Sequence, residues 1–376
     1  MKNFVLIDHE PWTLRRKQLF YDLFKNAGLE LTVLDLSQWL YNGLHNPDEL
    51  LDVPYLTKIH NKQEFEVALS QLNPNQTIIV EEVFRIWQNR HVFNILAQRG
   101  FDCIKIELFG NTGLEESLFE RLKSLKISQV FPIIKTKIET LKFQLYMKRK
   151  HIKPISNILS SNIFNRTIEF NHPDYDDYKF SEHQKLVEPP YIVFCDNYFP
   201  FHTDLKFFFN NKNLPDGKKY QATMKSYFDF LESKYKMPVV IAAHPKSAYK
   251  DGTFGKRPII KYHTDDLIFY SSMVTLHMCN TISYVLLGDK PLAFIATDEY
   301  LRFPDSMKRR FYNLAVNKLG LNIYNLDKTN FEKIIFKKIN SDLRKNYIYN
   351  YLTSIQTENR PNYVSLNNFA KSLNPT

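Results

Sequence analysis

Only three cysteines, Cys103, Cys195 and Cys279, occur in 376 residues, and they stand far apart. That spacing makes neither a disulfide framework nor the paired thiolates of a zinc module, so it argues against a structural metal. Glycine is sparse as well, ten residues against thirty phenylalanines and twenty-two tyrosines, which excludes a disordered or low-complexity chain. No apolar run reaches the roughly 18 to 20 residues of a membrane-spanning helix. The opening "MKNFVLIDHEPW" meets an acid too early for a signal peptide. These absences predict a cytoplasmic protein, with the inner face of the cytoplasmic membrane as the alternative address.

What is present is apolar bulk and positive charge. With 44% hydrophobic residues over this length, two domains are expected. The formal charge of +10 suits three kinds of partner: nucleic acid, an anionic membrane surface, or an anionic small molecule. Basic residues are densest in "KTKIETLKFQLYMKRKHIK" (135–153), where Ile138, Leu141, Leu145 and Met147 interleave with lysines at roughly helical spacing. Such a stretch reads either as a solvated helix face or as a patch resting on acidic headgroups.

Apolar runs alternate with helical periodicity along the chain. "FVLID" is a buried-type strand, "WTLRRKQLFYDLFKNAG" a helix ending at Gly28, and "LELTVLDLS" a second strand. "QTIIVEEVF", "NRHVFNILAQRG", "DCIKIELF" and "LEESLFERLKSL" continue as strand, helix, strand and helix. The alternation resumes at "YIVFCDNYFPFHTD" and runs through the helix "YQATMKSYFDFLESKYK", the strand "MPVVIAAHP" and on to "PLAFIA". The expected architecture is α/β, with two Rossmann-like domains facing a cleft. The boundaries read as an N-terminal domain at 1–135, a basic helix and linker at 136–188, a second Rossmann-like domain at 189–328, and C-terminal helices at 329–376. A long amphipathic helical stretch is predicted over 330–355.

Ligands of open α/β sheets sit beyond the carboxyl ends of the strands. In the second half those ends carry Asp196 and Asn197, then His244, Pro245 and Lys246, then Asn280, Thr281 and Ser283. Asn280 and Thr281 are good helix N-caps, and a helix N-terminus with a hydroxyl can cradle a phosphate. His244 can hydrogen-bond a phosphate or, when protonated, neutralise it; Lys246 adds a point charge, and Pro245 stiffens the turn between them.

The succession "AAHPK", "IIKYHTDDLIFYSSMVTLHMCNT" and "YVLLGDKPLAFI" is similar to the C-terminal domain of bacterial surface-polysaccharide glycosyltransferases of GT-B type, among them sialyltransferase-like and Kdo-transferase-like enzymes. "LRRKQLFYDLFKNAGLELTVLDLS" and "FCDNYFPFHTD" extend the resemblance to the starts of both domains. It implies that His244 and Pro245 contact the nucleotide and phosphate of an activated sugar, commonly a CMP-sugar, with Asn280, Thr281 and Ser283 as the second contact. The sequence departs from that family where Met278, Cys279 and Asn280 stand in place of adjacent hydroxyls. "SYVLLG" also lacks the glutamate that many retaining GT-B enzymes use to hold the donor sugar, which favours inversion.

Inverting transfer needs a base for the acceptor hydroxyl, expected from the other domain. Asp8, His9 and Glu10 follow its first strand, and Glu81 and Glu82 a later one. "DYDDY" (174–178) falls in the linker, so no obligatory divalent metal and no cofactor beyond the nucleotide-sugar are implied. The expected partners are a nucleotide-sugar, a glycan or lipid-linked glycan acceptor and an anionic membrane, without nucleic acid. Two rivals remain: a pyruvyl- or glycerophosphotransferase of polysaccharide synthesis, and a basic nucleic-acid-binding protein, for which no recognition motif is present.

Overall fold

In the computed structural model, which describes residues 2–41, 50–108, 127–202, 205, 214–250 and 252–373, the short apolar runs pair edge to edge as two parallel sheets. The first sheet contains β1 (Asn3–Asp8), β2 (Leu31–Asp35), β3 (Leu56–Lys58), β4 (Thr77–Glu82), β5 (Asp102–Ile106), β6 (Asn157–Ser160) and β7 (Ile168–Glu169). Its order is β3-β2-β1-β4-β5-β6-β7. Alternate residues of β1 enter opposite cores: Phe4 and Leu6 pack with Phe20 and Phe24, Val5 and Ile7 with Phe65 and Phe93. The helix Arg90–Arg99 ends at Gly100, whose φ of 75° is the left-handed turn that a side chain would strain.

The second sheet contains β8 (Ile192–Cys195), β9 (Val239–Ala243), β10 (Ile259–Lys261), β11 (Met273–Leu276), β12 (Leu292–Ala296) and β13 (Ile323–Asn325), in the order β10-β9-β8-β11-β12-β13. β8, β9 and β12 are buried along their whole length, which explains their unbroken apolar sequences. Strand order reverses between β1 and β4 in one sheet and between β8 and β11 in the other. Parallel α/β sheets open their ligand crevices at such reversals.

Three segments differ from expectation. Residues 136–188 are not simply a helix and linker, because β6 and β7 fall within them and widen the first sheet. At four and two residues these strands are too short and polar to register as apolar runs. Within 330–355 only Ser341–Tyr351 is α-helical; Leu292 and Lys337 exchange backbone hydrogen bonds, holding part of that segment extended beside β12. The "DYDDY" stretch lies in a helix, Pro173–Phe180. The predicted helix over 114–125 lies outside the described residues.

The last helix, Asn362–Ser372, returns to the first sheet and buries Leu366, Phe369 and Ala370 in its core, while the Asn367 side-chain amide donates to the Ala27 carbonyl at 2.7 Å. The two crossings between sheets lie side by side. The Asn171 amide donates to the Asn362 side chain and the Asn362 side chain donates back to the Asn171 carbonyl, both at 2.9 Å. Such reciprocal satisfaction is what permits buried asparagines at a crossing.

Candidate active site

At the end of β9 the chain turns through His244, Pro245 and Lys246, and the Ser247 amide closes the turn onto the His244 carbonyl at 2.8 Å. The Lys246 amide donates to His244 Nδ1 at 3.1 Å. An amide can only donate, so Nδ1 holds a lone pair and the ring proton sits on Nε2. Burial, with His202, Lys246 and Lys261 nearby, pushes the His244 pKa down to about 3. The imidazole is therefore a neutral donor, and of the two roles open to it in sequence, charge neutralisation falls to the exposed Lys246. Ser247 is fully buried, and its hydroxyl has no partner among the described residues.

Asp196, at the end of β8, is buried and accepts from the Tyr198 amide at 3.0 Å and the Tyr249 hydroxyl at 2.9 Å. Burial pushes its pKa up to about 7. Asn197 ties the β8 end across the reversal, donating to the Met278 carbonyl at 3.5 Å and the Tyr300 hydroxyl at 3.3 Å. The neighbouring His277 is spent on the scaffold. Its Nδ1 donates to the Ile295 carbonyl and its Nε2 accepts from the Tyr220 hydroxyl, each at 2.8 Å, while its ring stacks on Tyr300.

The second contact is built differently from the expected capped helix. Thr281 stands at the N-cap of the helix Ile282–Leu287 but makes no capping bond; its hydroxyl meets Cys279 Sγ at 3.0 Å. Ser283 is buried and donates to the Asn280 carbonyl at 3.2 Å, and Asn280 itself is exposed. A six-residue helix offers little dipole, so this corner presents an exposed amide without a strong positive pole.

Across the molecule, the β1/β4 reversal sorts the acids. Asp8 is fully buried and clamped by Arg16, whose Nε and Nη2 lie 2.7 and 2.5 Å from Oδ2. Glu81, on the opposite face of β4 from Glu82, takes both arms of Arg85 at 2.6 and 2.8 Å. His9 packs on Phe84, with Nδ1 against the Glu82 carbonyl. Glu10 donates its amide to Asp8 at 2.9 Å. Glu82 differs: its Oε1 is buried without a hydrogen-bond partner, and its other oxygen is 4.0 Å from Arg16. Burial, with Asp8 and Glu81 adding repulsion against the pull of Arg16, pushes its pKa up to about 8.

The two reversals are tied together. Arg15, in the turn after β1, reaches Asp177 at 3.2 Å, and the same Asp177 oxygen accepts from the Tyr284 hydroxyl, after β11, at 3.3 Å. One carboxylate of the helix Pro173–Phe180 thus links the carboxyl-end reversals of the two sheets. Sequence reasoning missed Arg15, Arg16, Asp177, Tyr249 and Tyr284. The adjacent arginines after the first strand and the tyrosine five residues beyond His244 were the available signals.

No protein-family model and no curated protein matches the chain. Solved structures do. The glycosyltransferase SnogD from Streptomyces nogalater is similar at 8% identity and a TM-score of 0.51, covering 100% of this chain and 99% of its own. The wall teichoic acid polymerase TagF is similar at 12% identity and a TM-score of 0.51, covering 99% of this chain and 89% of its own. A variant of TagF gives a TM-score of 0.52. Near-complete coverage of both partners means that the whole two-sheet arrangement is shared. The fold is GT-B. In GT-B terms, the β8/β11 side with His244 belongs to the C-terminal domain, and the β1/β4 side with Glu82 to the N-terminal domain facing it. Among the described residues no helix is long and apolar enough to cross a membrane.

Proposed function

We propose that the chain is a glycosyltransferase that moves a sugar, a CMP-linked acidic one, from its nucleotide to a cell-surface glycan, with inversion and without an obligatory metal. The observation that carries this reading is the Arg15–Asp177–Tyr284 bridge, which links the donor-rich end of one sheet to the end of the other, where Glu82 keeps one oxygen without a hydrogen-bond partner and a raised pKa. In this reading His244 donates from Nε2 to the phosphate, and Lys246 balances the charge that grows on the leaving nucleotide. Asp196, held by Tyr249, fixes the floor of the same crevice, and Asn280, Thr281 and Ser283 shape its far wall. Glu82 takes the acceptor hydroxyl proton; a base poised near pH 8 is well matched to that task. Asp8, through Arg16, positions it.

The acceptor side fits a peripheral enzyme. On the helix Ile127–Arg149, Phe143 is buried while Ile138, Leu141 and Leu145 face solvent at 46, 57 and 67% exposure among lysines. That stripe supports contact with an anionic bilayer from the cytoplasmic side and hence a lipid-linked glycan acceptor. Met147, which the sequence grouped with the stripe, packs inward instead. A second reading, a pyruvyl- or glycerophosphotransferase, is favoured by the likeness to a wall teichoic acid polymerase. It would use the same phosphate donors.

Thermal unfolding with CMP, UDP, GDP and a single-stranded oligonucleotide tests the proposal. CMP is expected to stabilise selectively, by about 2.7 kcal/mol at a hundredfold excess over Kd, and His244→Ala to remove the effect. An equal shift in His244→Ala, or no shift with any nucleotide, would overturn the site. Salt-sensitive oligonucleotide binding would restore the nucleic-acid reading.

A further inference from the structure

Outside the crevice, a buried histidine faces two aspartates in a geometry that no hydrogen bond explains. His183 lies in the loop after the helix Pro173–Phe180, with its side chain only 7% exposed and stacked on Phe269 at 4.1 Å. Its Nε2 lies 2.8 Å from the Tyr178 carbonyl, which can only accept, so Nε2 carries the ring proton. Nδ1 is left buried with no hydrogen-bond partner. It points at Asp266 Oδ1, 3.5 Å away, and Asp265 Oδ2, 4.0 Å away. All three atoms lie within 4.8 Å of one another.

A lone pair aimed at two carboxylates is repelled unless something positive lies between them. A second ring proton would answer the charge, but 3.5 Å is well beyond the roughly 2.7–2.9 Å of a charge-assisted N–H···O bond. It is instead the separation of two ligands each about 2.1 Å from one ion at an angle of about 113°, while the 4.0 Å separation spans the same ion at about 144°, a wide three-ligand arrangement. Acids in the first turn of a short helix, as Asp265 and Asp266 are in Thr264–Tyr270, are ordinary. The orphaned, buried nitrogen aimed at them is not.

We propose that His183 Nδ1, Asp265 and Asp266 bind a divalent cation of zinc type, separate from the donor crevice. One imidazole nitrogen with two carboxylate oxygens suits zinc better than magnesium, which prefers an all-oxygen octahedron. The surroundings supply the outer support such ligands need. The Tyr178 carbonyl orients the ring, and Asp266 is held by the Gln184 amide and by His263 Nδ1, each at 2.8 Å. The ion would pin the loop that follows the helix Pro173–Phe180 to the C-terminal domain. The cysteine spacing led the sequence analysis to expect no structural metal; it bears on thiolate ligands and not on a histidine–carboxylate site.

The test uses the full chain, stripped with a chelator and titrated with zinc and with magnesium by calorimetry, followed by metal analysis after dialysis. One zinc per chain, a raised melting temperature, and binding at least about 100-fold weaker in both His183→Gln and Asp265→Asn are expected. Asp265→Asn keeps shape and volume, so it reports if His183→Gln fails to fold. His60→Ala, at an exposed histidine, should bind as the parent does. Zinc bound equally by Asp265→Asn, or not retained at all, would overturn the proposal. So would a melting temperature that falls as pH rises through the histidine range and is indifferent to zinc, the signature of an imidazolium ion pair.

Discussion

Two adjacent glutamates on β4 have opposite fates, and the difference lies in what each meets. Glu81 is closed in a two-armed pair with Arg85, so Glu81→Gln strands a largely buried guanidinium. Its expected effect is on stability, a loss of about 3 kcal/mol by chemical denaturation with kcat little changed in the folded fraction. Glu82 has no such partner, and Glu82→Gln is expected to lower kcat by about 10²–10⁴. The parent rate should climb with pH toward a plateau above about 8, and the variant should lose that climb. Linkage adds a second signature. A carboxyl whose folded pKa is raised is stabilising while protonated, and that stability is lost as pH rises from about 4.5 through about 8. Melting curves should therefore show Glu82→Gln gaining on the parent with rising pH, the reverse of its effect on rate. A variant that loses both activity and alkaline stability would assign Glu82 a structural role.

Among the elements, the helix Ile127–Arg149 shows how one sequence pattern serves two faces. Phe143, Tyr146 and Met147 pack on the first domain's core, which leaves Ile138, Leu141 and Leu145 outward. Leu141→Ser with Leu145→Ser should leave the melting temperature within about a degree, since neither side chain is buried. The same pair should abolish co-sedimentation with vesicles rich in acidic lipid. Unchanged vesicle binding would return this face to an ordinary solvated surface. β6 and β7 show the opposite limit: six residues in all, they were illegible in sequence because pairing, of β6 with β5 and of β7 with β6, rather than their own composition, makes them strands.

At the scale of the whole molecule, the chain's last helix belongs to its first domain. Leu366 and Phe369 fill the core beneath β1, so Phe369→Ala is expected to cost about 3–5 kcal/mol and to loosen strands more than two hundred and fifty residues earlier. Hydrogen exchange should show lost protection in β1 and β2 while β9 and β12 keep theirs. Loss confined to the C-terminal domain would contradict the crossing. The Arg15–Asp177–Tyr284 bridge acts on the same scale, since Asp177→Asn removes the charge that pairs Arg15 of the first domain with the helix Pro173–Phe180.

Local pattern determined much of this protein. Continuous apolar strands alternating with periodic helices specified two parallel sheets, because each buried strand must be apolar on both faces. Strand-end position brought His244, Lys246, Asp196 and Glu82 to notice, because parallel sheets leave their carboxyl ends to ligands. Tertiary structure alone decided which of these groups are spent on the scaffold. Glu81 looked as promising as Glu82 until Arg85, on the other face of the strand from Glu82, was in place beside it. Proton location on His244, the unpaired oxygen of Glu82 and the orphaned nitrogen of His183 are all properties of burial and neighbours. Those exist only once the chain has brought remote residues together.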